Sequence, residues 1–353
     1  MGWNVAKAAL ITSVVALAMT SCATEEIDFN HRDVEHIPPG NPTVLGRKLE
    51  NPYSVANMKI ARGRLQPEYP EAGELRIRLT HLYVRFLPAD EAQYDRLKKD
   101  SSLKLFDHPL DYEIVAEGDY YREPGIPASR PTYQYASVPL GYVPPSGIAM
   151  ETLEQLYLPA CDTVGQRLSG RINTRLSEML IALEESSLVA TGNEQDGGYG
   201  SSSSTTSSGS RWIPAGSVSV WDNRLNRYIP VQGVKVRARR WFTVHETITD
   251  ESGNFRMNDS FRRAAHYSLV WERDRFDIRS GTFGQARLDG PKKRGDWRVQ
   301  IERGGIDFHY AHVFRAAFRY YYGDIGGLKR PNFRMKYSVF DKKGNHSATN
   351  LGN

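Results

Sequence analysis

Residues 216–257 read GSVSVWDNRLNRYIPVQGVKVRARRWFTVHETITDESGNFRM. Val218 and Val220 alternate with serines, and Val234, Val236 and Ala238 alternate with Lys235, Arg237 and Arg239. A period of two predicts strands with one buried face and one wet face. Residues 230–233 and 250–253 carry proline, aspartate and glycine at spacings that predict chain reversals. Residues 267–271 and 297–301 supply further strands, so the module spans 211–303.

Working outward, residues 191–210 are almost all Gly, Ser and Thr and predict a flexible linker in which no core can form. Residues 51–190 ahead of it mix both kinds of structure. The run THLYVRFL at 80–87 suits a strand stopped by Pro88, and a short helical pattern starts at Asp90. Residues 110–145 interleave tyrosines with prolines, which predicts irregular or edge-strand chain whose aromatic groups either pack or stack on sugars. Residues 149–158 are expected to form a helix stopped by Pro159. A second helix carries Leu168, Ile172, Leu176, Met179, Leu180 and Leu183 as an apolar stripe facing a core. Beyond the module, residues 304–353 hold a helix at 307–322, greasy nearly all round, and a strand at 335–340. That segment is too small for an independent core.

The first residues place Lys7 before an apolar run at 8–18, followed by Met19, Thr20, Ser21 and Cys22. This is the layout of a secretory signal, and the run is too short to span the roughly 30 Å of a bilayer's hydrocarbon. A cysteine directly after small residues resembles the lipobox of bacterial lipoproteins, which implies cleavage of 1–21 and acylation of Cys22. Several acyl chains anchor firmly, since each buried methylene contributes about 0.8 kcal/mol. Glu25 and Glu26 are similar to the export tag of Bacteroidetes-type surface lipoproteins. Residues 22–50 then read as a mobile spacer. With Cys161 as the only other cysteine, no intramolecular disulfide is expected.

The module at 211–303 resembles the carboxypeptidase-regulatory-like domain, a transthyretin-like, CnaB-related β-sandwich. Gly216, Val218, Val220, Asp222, Pro230, Val231, Gly233, Val234, Val236, Thr247, Thr249, Asp250, Gly253 and Phe255 carry the match. The resemblance implies an accessory, non-catalytic module. The expected fold class is therefore an α+β N-terminal domain followed by an all-β carboxypeptidase-regulatory-like sandwich and a short helical C-terminal segment.

Charge divides the chain. Residues 211–353 hold 27 Lys and Arg against 14 Asp and Glu, net +13, while the remainder holds 19 against 27, net −8. A basic half either favours phosphate-rich partners or attracts the acidic half. Lys235, Arg237, Arg239 and Arg240 form either a face for an anionic partner or a plain solvent face. Nucleic acid is not the expected partner; a cell-surface glycan or protein ligand is.

No catalytic motif is present. His245-Glu246 opens like a zincin helix but continues Thr247-Ile248-Thr249, without the second histidine. There is no P-loop, G-x-G-x-x-G or G-x-S-x-G. His309 and His312 stand three apart, and two ligands without a third make no metal site. No cofactor is expected. The order of segments also resembles the front of zinc-peptidase-like surface lipoproteins, here without H-E-x-x-H. The sequence thus predicts a lipid-anchored envelope protein, exported to the outer membrane or cell surface, with a non-enzymatic binding or scaffolding role. The alternative is the non-catalytic front of a metallopeptidase-like lipoprotein lacking its active domain.

Overall fold

The computed structural model describes residues 41–127, 129–159, 174–194, 211–281 and 283–339. The expected leader at 1–21, Cys22, Cys161, Leu168 and Ile172 of the expected apolar stripe, and residues 195–210 of the Gly/Ser/Thr run lie outside them. The described chain is mostly β, with four α-helices among the described residues, one of them close to the C-terminus. The described residues belong to one compact unit.

In the first half, β1 (Val44–Lys48) precedes α1 (Val55–Leu65), β2 (His81–Leu87), α2 (Glu91–Lys99), β3 (Tyr112–Ala116), β4 (Gln134–Pro139), β5 (Ala149–Leu156) and α3 (Thr174–Ala190). β1 pairs with β3, and β2 is the centre of an antiparallel sheet ordered β4-β2-β5. Two helix starts are set by local chemistry. Ser54 accepts from the Asn57 amide, and Asp90 accepts from the Gln93 amide while Gln93 accepts from the Ala89 amide, each satisfying an otherwise orphaned donor.

Two expectations fail here. Residues 149–158 are not a helix, because β5 runs antiparallel to β2. A register break between Tyr83 and Val84 leaves Leu153 as the extra residue of a bulge, so Leu153 and Leu156 stand three apart and mimic a helical stripe. Likewise Val44–Lys48, read as spacer, is a strand held by β3 and by the Thr43 and Leu49 amides donating to the Tyr120 and Asp111 carbonyls.

The second half contributes β6 (Ala215–Asp222), β7 (Arg227–Pro230), β8 (Lys235–Arg240), β9 (Thr243–Ile248), β10 (Asn254–Arg256), β11 (Ala265–Val270), β12 (Phe276–Ser280), β13 (Gly284–Gln285), β14 (Arg287–Lys293), β15 (Trp297–Ile301), α4 (Ile306–Tyr322) and β16 (Met335–Val339). One sheet runs β10-β6-β15 with β7 also on β6; a second runs β14-β11-β8-β9; a third runs β13-β12-β16. The first two share a core built from Val218, Val220, Val236, Ala238, Phe255, Tyr267 and Leu269. The predicted alternation is therefore correct for the apolar positions.

Residues 304–339 do not stand apart. Tyr310, Ala311, Phe314, Ala317 and Tyr321 of α4 enter that same core, and β16 pairs in parallel with β12. The helix is greasy because it is buried along a wide face; burying one large apolar side chain contributes about 1.5–3 kcal/mol. Gly233, in the left-handed region at φ 79°, lies under Phe318 of α4, and a Cβ there would come within 2.1 Å of the ring.

The two halves also share a core. Trp241 and Phe242, the hairpin tip between β8 and β9, are buried with Tyr53, Tyr83, Leu156 and Leu183 of the first half. Trp241 is held at φ 50°, a conformation unusual for a side-chain-bearing residue. Its ring packs 6.2 Å from that of Tyr53, and Phe242 lies 4.9 Å from Tyr83.

Phe314→Ala is expected to cost about 3–5 kcal/mol, and Gly233→Ala about 2 kcal/mol or more from combined clash and backbone strain. Denaturant unfolding checks both. Little change in either variant would mean that α4 does not complete the core.

Candidate functional site

β8 projects Val236 and Ala238 into the sheet-to-sheet core, so strand alternation sends Lys235, Arg237 and Arg239 to the opposite side. The expectation of a wet face there is wrong. Arg237, Arg239 and Arg240 are 8%, 6% and 7% exposed, because the first half covers them. Arg237 donates to the Leu105 carbonyl at 2.8 Å, and Arg239 to the Leu110 and Trp241 carbonyls. Arg240 pairs with Glu184 of α3 and donates to the Tyr53 hydroxyl. These three arginines form a seam and not an open patch, while Lys235, with its side chain 27% exposed, pairs with Glu272. Burial makes Arg239 a weaker base, with Asp289 and Tyr83 offsetting only part of that.

The seam is not closed throughout. Between β8, β9, β11 and β14 on one wall and the chain from α2 to Asp107 on the other lies a cleft of about 460 Å³, within the range of small-molecule sites. Tyr94, Leu103, Leu105, Phe106 and Val270 give it apolar surface. Its charged groups are cross-linked. Glu246 meets Arg237 at 2.5 Å and Lys104 at 2.8 Å. Glu272 meets Lys235 at 2.7 Å, Lys98 at 3.0 Å and Arg334 at 3.1 Å. Behind it Asp277, fully buried, takes Lys98 and Arg279 at 2.7 Å each.

These contacts set the proton affinities. Burial alone would raise the Glu246 carboxyl, but Arg237, Lys235 and Lys104 outweigh it and bring it down to about 2. Glu272 is likewise held well below the usual carboxylate range against its burial by Lys98, Lys235 and Arg334. Burial weakens Lys98 as a base, and Asp277 and Glu272 pull the other way. In the cleft lining, Asp107 is held far down by Arg287 and His108 despite burial.

A second cluster lies where α4 begins. Asp119 and Asp307 share a hydrogen bond, with Asp289 nearby, and both carboxyls are raised: Asp307 first by burial and then by Asp119, Asp119 first by burial. Among the described residues no group of three or more His, Cys, Asp or Glu side chains is arranged to hold a metal ion. His309 and His312 are not brought together as ligands either. The His312 Nε2 donates to the Trp221 carbonyl at 2.9 Å, and His309 stacks edge-on against Phe308. His245, in strand β9, faces Asp259 at 3.7 Å and Phe261.

Lys98, Lys104, Glu272 and Arg334 went unnoticed in the sequence because they come from four separate segments. Only Arg237 with Glu246 had a local signal: a two-residue turn at Trp241-Phe242 pairs Arg240 with Thr243 and hence Arg237 with Glu246.

No family model and no curated protein matches the chain. Solved structures give only faint likeness. A 9R-lipoxygenase from Cyanothece PCC8801 aligns at 12% identity over 33% of this chain and 20% of its own, with a TM-score of 0.16. An (S)-allantoin synthase aligns at 11% identity over 40% of this chain and 55% of its own, with a TM-score of 0.17. The alignments thus span about a fifth and about half of those chains, and at such scores neither informs the site.

Two pH dependences follow. A carboxyl with a depressed folded pKa contributes stability above its unfolded pKa and loses it as pH falls through the folded value. Glu246→Gln should therefore cost about 3 kcal/mol at pH 7, with the gap to wild type narrowing below about pH 4.5 and closing near 2. A raised carboxyl behaves oppositely, its contribution fading as pH rises. Asp307→Asn should therefore stabilise the protein at pH 8 relative to wild type and show no gain at pH 4. Urea titrations across pH test both, and a pH-independent gap in either case contradicts the assignment.

Proposed function

We propose that the chain is a lipid-anchored cell-envelope protein, tethered through Cys22 to the outer membrane or cell surface, with a non-catalytic binding or scaffolding role. On this reading the second half is a carboxypeptidase-regulatory-like β-sandwich. What supports the sandwich is the placement of the residues that carry the resemblance. Val218, Val220, Val234, Val236 and Phe255 are core side chains, while Gly233 and Gly253 sit at reversals with φ of 79° and 75°.

The observation that carries a binding role is the cleft itself, walled by both halves of one compact unit. Its carboxylates Glu246 and Glu272 are clamped by two and three cations respectively. A carboxylate brought down to about 2 is a poor general base near neutrality, where an effective base has a pKa close to the working pH. Clamped charges instead hold a fixed surface for a glycan, a protein segment or a smaller ligand.

The tether reading rests on the sequence ending in Ser21-Cys22 after a short apolar run. No helix among the described residues is long and apolar enough to cross a membrane. Expressed in a bacterial host with a lipoprotein pathway, the wild type should sediment with membranes while Cys22→Ala is released in soluble form. Mass spectrometry should find acyl chains on an amino-terminal Cys22. Membrane retention of both forms, or an intact leader, would refute the tether.

A further inference from the structure

We infer that the cleft between the two halves binds a compact dianionic group, a phosphomonoester or a dicarboxylate, carried on an apolar or aromatic body. The inference rests on the binding role proposed above and names the chemistry of that site.

The charge balance of the cleft is its basis. Eight Lys and Arg side chains line it against six carboxylates, and five of those cations, Lys98, Lys104, Lys235, Arg237 and Arg334, meet one another's carboxylate partners at its centre. The carboxylates that contact them there are Glu246 and Glu272, with Asp277 behind. Behind the lining, Arg279 and Lys336 are shared among Asp277, Asp95 and Glu91. The lining thus carries two more positive charges than negative ones, eight against six. The two that are left over sit in a place where water is partly excluded and their mutual repulsion is poorly screened.

Exposure is graded along the cleft. The side chains of Lys98 and Arg237 are 5% and 10% exposed, that of Arg334 18%, and those of Lys235 and Lys104 27% and 39%. Positive charge therefore continues from the mouth to the floor, an arrangement that draws an anion inward and then engages it with charge-assisted hydrogen bonds. The cleft volume of about 460 Å³ suits a small molecule. Phe106, with the Arg237 guanidinium 5.1 Å from its ring centroid, and the neighbouring Leu103, Leu105 and Val270 provide apolar surface beside the cations. A ligand with one dianionic end and one flat apolar end uses both.

Two variants remove cations while leaving every carboxylate paired. Lys104→Ala leaves Glu246 with Arg237, and Lys235→Ala leaves Glu272 with Lys98 and Arg334, so both proteins should fold. Calorimetric titration of the full chain carrying Cys22→Ala with phenyl phosphate, succinate and phenol is the test. Phenyl phosphate or succinate should bind, weakening as salt rises, and phenol should not. Comparison of the first two tells which anion the site prefers. Each lysine variant should lose about tenfold or more in affinity, whereas Arg298→Ala, at an exposed position outside the cleft, should not. No binding of either anion at millimolar concentration would overturn the inference, as would wild-type affinity in both folded lysine variants. That failure would be separate from failure of the tether, which membrane fractionation of the wild type reads independently.

Discussion

The packing of the charged side of β8 against the first half is the contact that organises this molecule. A strand reading KVRARR has one apolar face, and that face is already used by the core between two sheets. The other face carries Lys235, Arg237 and Arg239, which in an isolated module would stay in water. Instead the first half lays the Leu105 and Leu110 carbonyls and Phe106 over this row, and Glu184 over the adjoining Arg240. Desolvating guanidinium groups is expensive, and the cost is offset only where hydrogen-bond and charge partners are well placed. Arginine suits such a place because its planar fork donates to several acceptors at once and is more weakly hydrated than an ammonium.

This seam has apolar locks at one end and charges along the rest. Trp241 and Phe242 insert into the first half's core, with Trp241 kept at an unfavourable φ by the packing of its ring. Apolar contacts tolerate sliding, whereas a displaced Arg240 would leave Glu184 and Tyr53 without their partner in a buried setting. Misregister therefore costs more than correct register gains, so the charged groups act mainly by penalising alternatives. α4 works in the second half in a comparable way. It fills the core between the sheets while Gly233 admits Phe318, and the chain then returns through β16 to pair with β12.

Several of these features could be read from residue order. Alternation at Val218, Val220, Val234, Val236 and Ala238 located two central strands, and the all-round apolar character of residues 307–322 located a helix needing burial. What lay beyond reach was anything depending on which distant segment covers a face. The alternation on β8 says that Lys235, Arg237 and Arg239 point together; it does not say whether water or Leu105 meets them. The bulge at Leu153 shows a second limit, since one inserted residue converts a strand's period into an apparent helical spacing. The cleft was hidden for the same reason as the seam. Its groups come from α2, the segment after it, β8, β9, the chain following β11 and the approach to β16, and only the β8–β9 hairpin pairs them locally.

The opposite net charges of the two parts of the chain acquire a physical meaning in this arrangement. A surplus of +13 after residue 210 against −8 before it would suggest an open cationic surface if the halves were separate. Much of that charge is consumed inward: Lys98 and Lys104 reach across to Glu272 and Glu246, while Arg240, Arg279, Arg287 and Lys336 reach back to Glu184, Asp95, Asp107 and Glu91. Long-range attraction favours the encounter of the halves, and short-range geometry decides its register. Where the halves part to leave the cleft, the lining keeps an excess of positive charge. Charge imbalance and enclosed volume therefore coincide at one place, and a site that is both cationic and partly desolvated is one where an anion gains more than it would on an open basic surface.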